Sequence, residues 1–215
     1  MPMPIAHSAT GLAGYFTFKK NNLDRLQKQE LLLLGLSIFL ANLPDLDFMI
    51  GFLCGEPGKF HHGASHSIVL CLAIALICYK FVKNKLRGIS KNRILGCCLL
   101  SLLSHPILDY FSKDTSEPFG VPLLWPFDGE YYISSLPMFP DVRRIDDTVR
   151  SFFPSLMNAH NGWGLVVEIL FAGTLLCAIF GFKTRAKKVR YPYCFLISAL
   201  CGALYYLIQI RPNLF

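Results

Sequence analysis

Charge is scarce in this chain. Asp, Glu, Lys and Arg make up only 16% of its 215 residues, where soluble domains carry roughly a quarter. No internal repeat, low-complexity run or domain linker occurs, so a single membrane domain over residues 1–215 is the simple reading. CxxC pairs are absent as well. Of the eight cysteines, all but Cys54 lie inside apolar blocks, which reads as small apolar filler rather than a disulfide framework. No basic residue precedes the apolar stretch 5–18, and Lys19 and Lys20 follow it. That order excludes a signal peptide and suits a short helix running from outside to inside. No DNA-binding motif accompanies the net charge of +7, so direct nucleic-acid binding is not expected.

Apolar residues are plentiful, at 53%, with a mean hydropathy of +0.43. They fall in blocks at 31–48, 68–82, 94–111, 163–182 and 193–210. A helix needs about 20 apolar residues to cross the roughly 30 Å hydrocarbon core. The expected fold is therefore an all-α polytopic membrane helix bundle. It has six helices with the N-terminus outside, or five if stretch 5–18 does not span. Ala6, Thr10 and Gly14 recur every fourth residue on that stretch, a small face suited to close helix contact.

The basic residues set the orientation. Fifteen of the 21 lie in three stretches: Lys19 to Lys28, Lys80 to Arg93, and Lys183 to Arg190. Segments 43–65 and 110–162 hold five basic residues against ten acidic ones. The positive-inside rule puts the first set in the cytoplasm and the second outside. The long outer segment 110–162 carries six prolines and cannot be a spanning helix. Within it, Val149, Phe152, Phe153 and Leu156 are spaced for a short amphipathic helix, either on the membrane surface or covering the bundle.

All six histidines fall at or near the outer face under this topology. Three clusters stand out. Asp45 and Asp47 follow Pro44 at the end of the second helix. His61, His62 and His66 open the third. His105 and Asp109 end the fourth, four apart and so on one helical face. His62 and His66 share that spacing. Imidazole with carboxylate suits zinc, manganese or iron, and ionisable groups near membrane helices usually have a partner or a task. His160 has the least support for a site role, and Glu168 is either a partner to the site or an interfacial carboxyl.

At these residues the chain resembles the membrane-bound metal-dependent hydrolases labelled LexA-regulated, or LexA-binding, inner-membrane hydrolases. The family pattern is an early His, a Pro-Asp-x-Asp turn, a His-Arg-Gly-x-Thr-His-Ser stretch, a Ser-His-x-x-x-Asp stretch and a Gly-Val-Pro-Leu-Leu-Trp-Pro run. Here these are His7, residues 44–47, 61–67, 104–109 and 120–126. His62 stands where the family has Arg, which removes a permanent cation, and Ser65 stands where it has Thr, which keeps the hydroxyl. The order is more remotely similar to zinc-dependent phospholipase C and single-strand nucleases, but their late His-x-x-x-Glu is missing: Gly164 lies four residues after His160.

The resemblance implies a metal-dependent hydrolase in the bacterial inner membrane, with its site on the outer side. A divalent metal, zinc above manganese or iron, is the expected cofactor. Its ligands would be His7, Asp45, His66, His105 and Asp109. Asp47 would be a ligand or general base, His61 a ligand or supporting donor, and His62 a phosphate-contacting group. A phosphoester of a membrane lipid or lipid-linked molecule is the expected substrate.

Overall fold

A computed structural model describes residues 2–19 and 28–183, with isolated positions 197, 199 and 202. The apolar block at 193–210 and most of the basic stretch from Lys183 to Arg190 lie outside the described residues. Among those described, the chain is helical: α1 Pro4–Phe18, α2 Lys28–Asn42, α3 Asp47–Cys54, α4 Ile68–Val82, α5 Lys91–Tyr110, α6 Val149–Leu156 and α7 Ala159–Lys183. Two 3-10 turns and a long non-helical segment between α5 and α6 separate these helices, and the β-pairing among the described residues is two isolated bridges, Ser112 with Phe139 and Val121 with Tyr132.

Short α1 sits in the middle, packed against α2, α5 and α7, while α5 also holds α4. The small face read from the sequence explains this position, and Gly11 extends it. A Cβ on Gly11 would come within 2.6 Å of the Ser37 carbonyl oxygen on α2. Gly14 lies 3.4 Å, by the same measure, from Leu100 on α5. Tyr15, Leu33, Leu40, Ile94 and Leu102 form the core, and Cys71, Cys97 and Cys98 fill gaps within it.

The block at 31–48 is not one helix. α2 ends at Asn42, and the chain bends by 61° before α3. Pro44 explains the break, because it has no N–H for the Leu40 carbonyl and opens a 3-10 turn instead. The expected single face for His62 and His66 is also absent. His62 has φ of 59°, in the left-handed region, and residues 64–66 form a separate 3-10 turn. Gly63 and the turn on either side keep this segment from starting α4 early.

Among the described residues, one helix is long and apolar enough to cross a membrane alone, Ala159–Ile179 within α7. Its window is only 11% buried, unlike the core helix of a soluble protein. α2 and α3 pass that test together as a bent pair, and α4 is apolar but has 15 residues.

At the end of the bundle away from the histidines, Arg93 grips Glu30 through two hydrogen bonds of 2.6 Å. Tyr15 donates to the same carboxylate at 2.8 Å. One planar two-pronged contact thus ties α1, α2 and α5. Both partners are only slightly exposed, at 12% and 18%, so losing the guanidinium strands a largely desolvated carboxylate. Arg93→Met is expected to destabilise the purified protein by about 2 kcal/mol, below the 3–5 for a fully buried pair. A thermal unfolding midpoint equal to that of wild type would contradict this.

Candidate metal centre

The opposite end of the bundle collects the charged and imidazole side chains. Three elements bring them there. The Pro44 turn delivers Asp45 and Asp47, the turns before α4 deliver His61, His62 and His66, and the last turns of α5 deliver His105 and Asp109. α1 adds His7 from its first turn.

His105 Nδ1 lies 2.7 Å from the Ala41 carbonyl oxygen. A carbonyl can only accept, so Nδ1 carries a proton, and in the neutral ring Nε2 presents a lone pair. His66 Nδ1 faces Ser65 Oγ at 3.1 Å and Asp47 Oδ2 at 3.4 Å, which likewise leaves its Nε2 as a lone pair. These two nitrogens stand 3.2 Å apart. Asp45 Oδ1 lies 3.5 Å from His66 Nε2 and 3.4 Å from His105 Nε2. Asp109 Oδ2 lies 3.5 Å and 3.2 Å from the same two atoms. His66 and His105 are fully buried, and Asp109 is 3% exposed.

Four acceptors therefore converge with little water to separate them. A tetrahedral ion at about 2.0–2.1 Å from its ligands separates them by about 3.3–3.4 Å. The five separations just given, 3.2–3.5 Å, bracket that spacing. Asp45 Oδ1 and both Asp109 oxygens are buried without a hydrogen-bond partner. A divalent cation held by His66, His105 and Asp109, or by His7, Asp45 and His105, would satisfy buried atoms that have no hydrogen-bond partner, so the residues fit a metal.

Three overlapping groups could hold an ion: His66, His105 and Asp109; His7, Asp45 and His105; and His61, His62 and His66. His7 stacks on His105, with ring centroids 3.9 Å apart. Its Nε2 lies 3.5 Å from Asp109 Oδ1, too poorly aligned for a hydrogen bond, and both its ring nitrogens lack a partner. Asp47 sits one step out. Its Oδ1 meets His61 Nδ1 at 3.0 Å and its Oδ2 accepts from Ser65 Oγ at 2.9 Å. The hydroxyl at position 65 thus orients this carboxylate.

The chain belongs to the YdjM inner membrane protein family. That family's model matches residues 1–205, which include every residue of this cluster. It is accordingly an integral protein of the bacterial inner membrane. No curated protein and no solved structure matches the chain.

One participant escaped the sequence reading. Asp114 lies 3.3 Å from His62 Nδ1 and accepts from the backbone N–H of Gly120 and Ser116 at 2.9 and 3.0 Å. Burial pushes this carboxyl up, but the hydrogen bonds from His62, Gly120 and Ser116 hold it down at about 2. Burial lowers the pKa of His62 and holds that of His61 well below the ordinary imidazole value. A neutral His62 that donates Nδ1–H to Asp114 presents a lone pair at Nε2, which has no partner. That is how a carboxylate-backed metal ligand is built; a neutral ring in this tautomer cannot donate to a phosphate. Only the loose signal of an acidic residue soon after Asp109 could have pointed to Asp114. Glu168, whose role the sequence left open, has its partners on α1. His160 stands apart, its Nε2 3.0 Å from the Asp141 carbonyl oxygen and 3.2 Å from that residue's carboxylate.

The outer segment is fastened onto the cluster. Ser67 Oγ donates to the Trp125 carbonyl at 2.6 Å, and Ile68 N–H donates to the Leu123 carbonyl at 3.0 Å. Gly120 makes the turn at φ 95°, with the Tyr132 carbonyl oxygen 2.4 Å from where a Cβ would stand. A cleft of about 70 Å³, room for two or three waters at ~30 Å³ each, reaches His61 and His62. Lys113, Asp114, Asp141 and Arg144 help line it.

Because Asp114 has a depressed pKa in the folded protein, its contribution to stability is complete above the ordinary Asp value near 4 and is lost as pH falls through about 2. In Trp163→Phe protein, Trp125 fluorescence should stay constant from pH 7 to about 4 and change below that. Asp114→Asn should already show the altered signal at pH 7. An identical acid transition in Asp114→Asn would show that this carboxylate does not anchor the segment.

Proposed function

We propose that this protein is a polytopic, metal-dependent hydrolase that cleaves a phosphoester of a lipid or lipid-linked substrate at headgroup level. The observation that carries the reading is the convergence of His66 Nε2, His105 Nε2, Asp45 and Asp109 in a buried site. A divalent cation there, zinc being the best match in size and donor set, would lower the pKa of a water and offset charge on a phosphoryl oxygen. His66, His105, Asp45 and Asp109 would hold it, with His7 and His62 at its margins.

The surrounding side chains have separate tasks. Asp47 holds His61 at 3.0 Å and lies near His66; His61 lines the cleft, so a proton taken there from water would be passed by way of the His61 ring toward Asp47. Lys113 and Arg144 bring positive charge to the cleft lining, where a substrate phosphate approaches. Arg144 is itself held over the Phe48 ring at 5.0 Å and by Asp146 at 2.8 Å. Phe48 also stacks on His61, so packing on the apolar side of α3 fixes the polar side of the site.

Lipid access follows from the rim. Leu53, Phe127, Leu136 and Met157 are all at least 70% exposed. Apolar side chains so placed suit the interface between headgroups and acyl chains. The sequence also admits a transporter or metal-handling protein, since intramembrane His and Asp line ion paths too, or a non-enzymatic protein with a structural metal site; the transporter reading has less support. It needs ionisable groups deep in the helices, and the one carboxyl in α7 is occupied with backbone N–H groups.

Two measurements test this reading. The first is orientation. Among single-cysteine variants in intact cells, Lys59→Cys should react with an impermeant thiol reagent from outside and Lys85→Cys should not. The opposite pattern would put the site on the cytoplasmic side. The second is catalysis. His66→Ala and Asp47→Asn should lower phosphate or headgroup release from lipid in micelles on the order of a hundred-fold or more, since supporting residues alone are worth about 10–100-fold. Both variants should still insert, because these positions lie at helix ends. Chelation should abolish wild-type turnover and metal should restore it. Turnover that persists after complete metal removal would rule out a metal hydrolase.

A further inference from the structure

Glu168 is 2% exposed in the apolar helix α7, among Ala6, Leu108, Phe139 and Val167. A carboxylate in such surroundings is costly unless charge-assisted hydrogen bonds compensate it. Both of its oxygens are taken by one element. Oε1 accepts from the backbone N–H of Met3, and Oε2 accepts from that of Ala6 at 2.9 Å. These donors belong to the first turn of α1, which has no side-chain cap of its own and has Pro at its first positions. A helix start leaves N–H groups unpaired and partially positive. Glu168 supplies from another helix the negative cap that α1 lacks.

The residue after Ala6 is His7. No hydrogen bond holds the His7 ring: both nitrogens are without a partner, and its neighbours are the stacked His105 ring and Asp109 at 3.5 Å. Its position therefore depends on where the first turn of α1 is fixed, and Glu168 fixes it. Packing alone offers less restraint, because the buried side of that turn presents only Ala6 beside His7 itself. We propose that Glu168 is a positioning residue that locks His7 into the metal centre by capping α1 from α7. The metal role of His7 rests on the function proposed above, whereas the cap itself is independent of it.

Gln at 168 is nearly isosteric but keeps only one good acceptor, so one of the two N–H groups loses its partner. Two readouts separate positioning from simple stabilisation. The first is cobalt(II) binding to purified, metal-free protein, followed by its visible spectrum. Glu168→Gln should weaken binding about ten-fold, the scale for a support behind a ligand. His7→Ala should weaken it by at least as much, and the double variant should be no weaker than His7→Ala alone. The second is diethylpyrocarbonate modification of His7, read by peptide mass. His7 is fully buried and should be protected in wild type, but should react several-fold faster in Glu168→Gln. Losses that multiply in the double variant, or a Glu168→Gln protein with wild-type affinity and a protected His7, would overturn the proposal. If Glu168→Gln fails to fold, Glu168→Asp, one methylene too short to reach both donors, takes its place. If wild-type protein takes up no cobalt, the metal reading falls, and His7 protection alone decides the role of Glu168.

Discussion

Two imidazole nitrogens lie 3.2 Å apart in a buried pocket, each 3.2–3.5 Å from an oxygen of Asp45 and of Asp109, and both carboxylates there call for positive charge beside them. At an effective dielectric near 20, unit charges about 4 Å apart already interact by about 4 kcal/mol. The rest of this end of the molecule is arranged around that constraint. The Ala41 carbonyl and Ser65 Oγ accept from the Nδ1–H groups of His105 and His66 and so turn both Nε2 atoms inward. At the far end the Glu30–Arg93–Tyr15 contact ties together α1, α2 and α5, the helices that carry His7, lead into Asp45 and carry His105.

The donors come from element ends, and this follows from what helices permit in an apolar setting. A charged group in mid-helix faces either lipid or a neighbour, and both are costly. At a break or a terminus the backbone can change direction and side chains can converge. Pro44 breaks α2 before the two aspartates, Gly63 and the left-handed His62 turn the chain before α4, and α5 ends one residue after Asp109. α1 is the exception, because its histidine lies in a regular first turn. That is why α1 needs an external cap, and why its close contacts at Gly11 and Gly14 matter.

Much of this was legible in the sequence, for identifiable reasons. His105 and Asp109 share a face because α-helical geometry leaves no alternative at that spacing, and the amphipathic helix near residue 150 follows directly from its periodicity. The same rule failed for His62 and His66. A four-residue interval carries meaning only inside a helix, and Gly63 with the left-handed His62 prevents one there. The break within 31–48 was signalled by Pro44, but hydropathy alone outweighed it. Asp114 was invisible because its importance comes from tertiary geometry: it is 52 residues from His62 and only the folded outer segment brings them together. Glu168 was noticed but could not be assigned, since its partners are backbone groups on a helix 162 and 165 residues away. Backbone partners leave no trace in residue identity.

The placement of α6 shows how the outer segment serves the site as well as covering it. Phe152 is 6% exposed and packs on Phe48 and Phe52, and Phe153 stacks on Phe52 with 58% of its own surface still open. One helix thus presses inward on α3 while presenting an apolar side outward, so the surface and covering roles meet in the same eight residues. Pressure on Phe48 passes to His61, which stacks on it at 4.0 Å, and from His61 to Asp47. The polar centre is therefore held from its outer side by aromatic packing and from its inner side by hydrogen bonds. An apolar chain lying along α6 would touch the same aromatic cluster that packs on His61 and, through it, on Asp47.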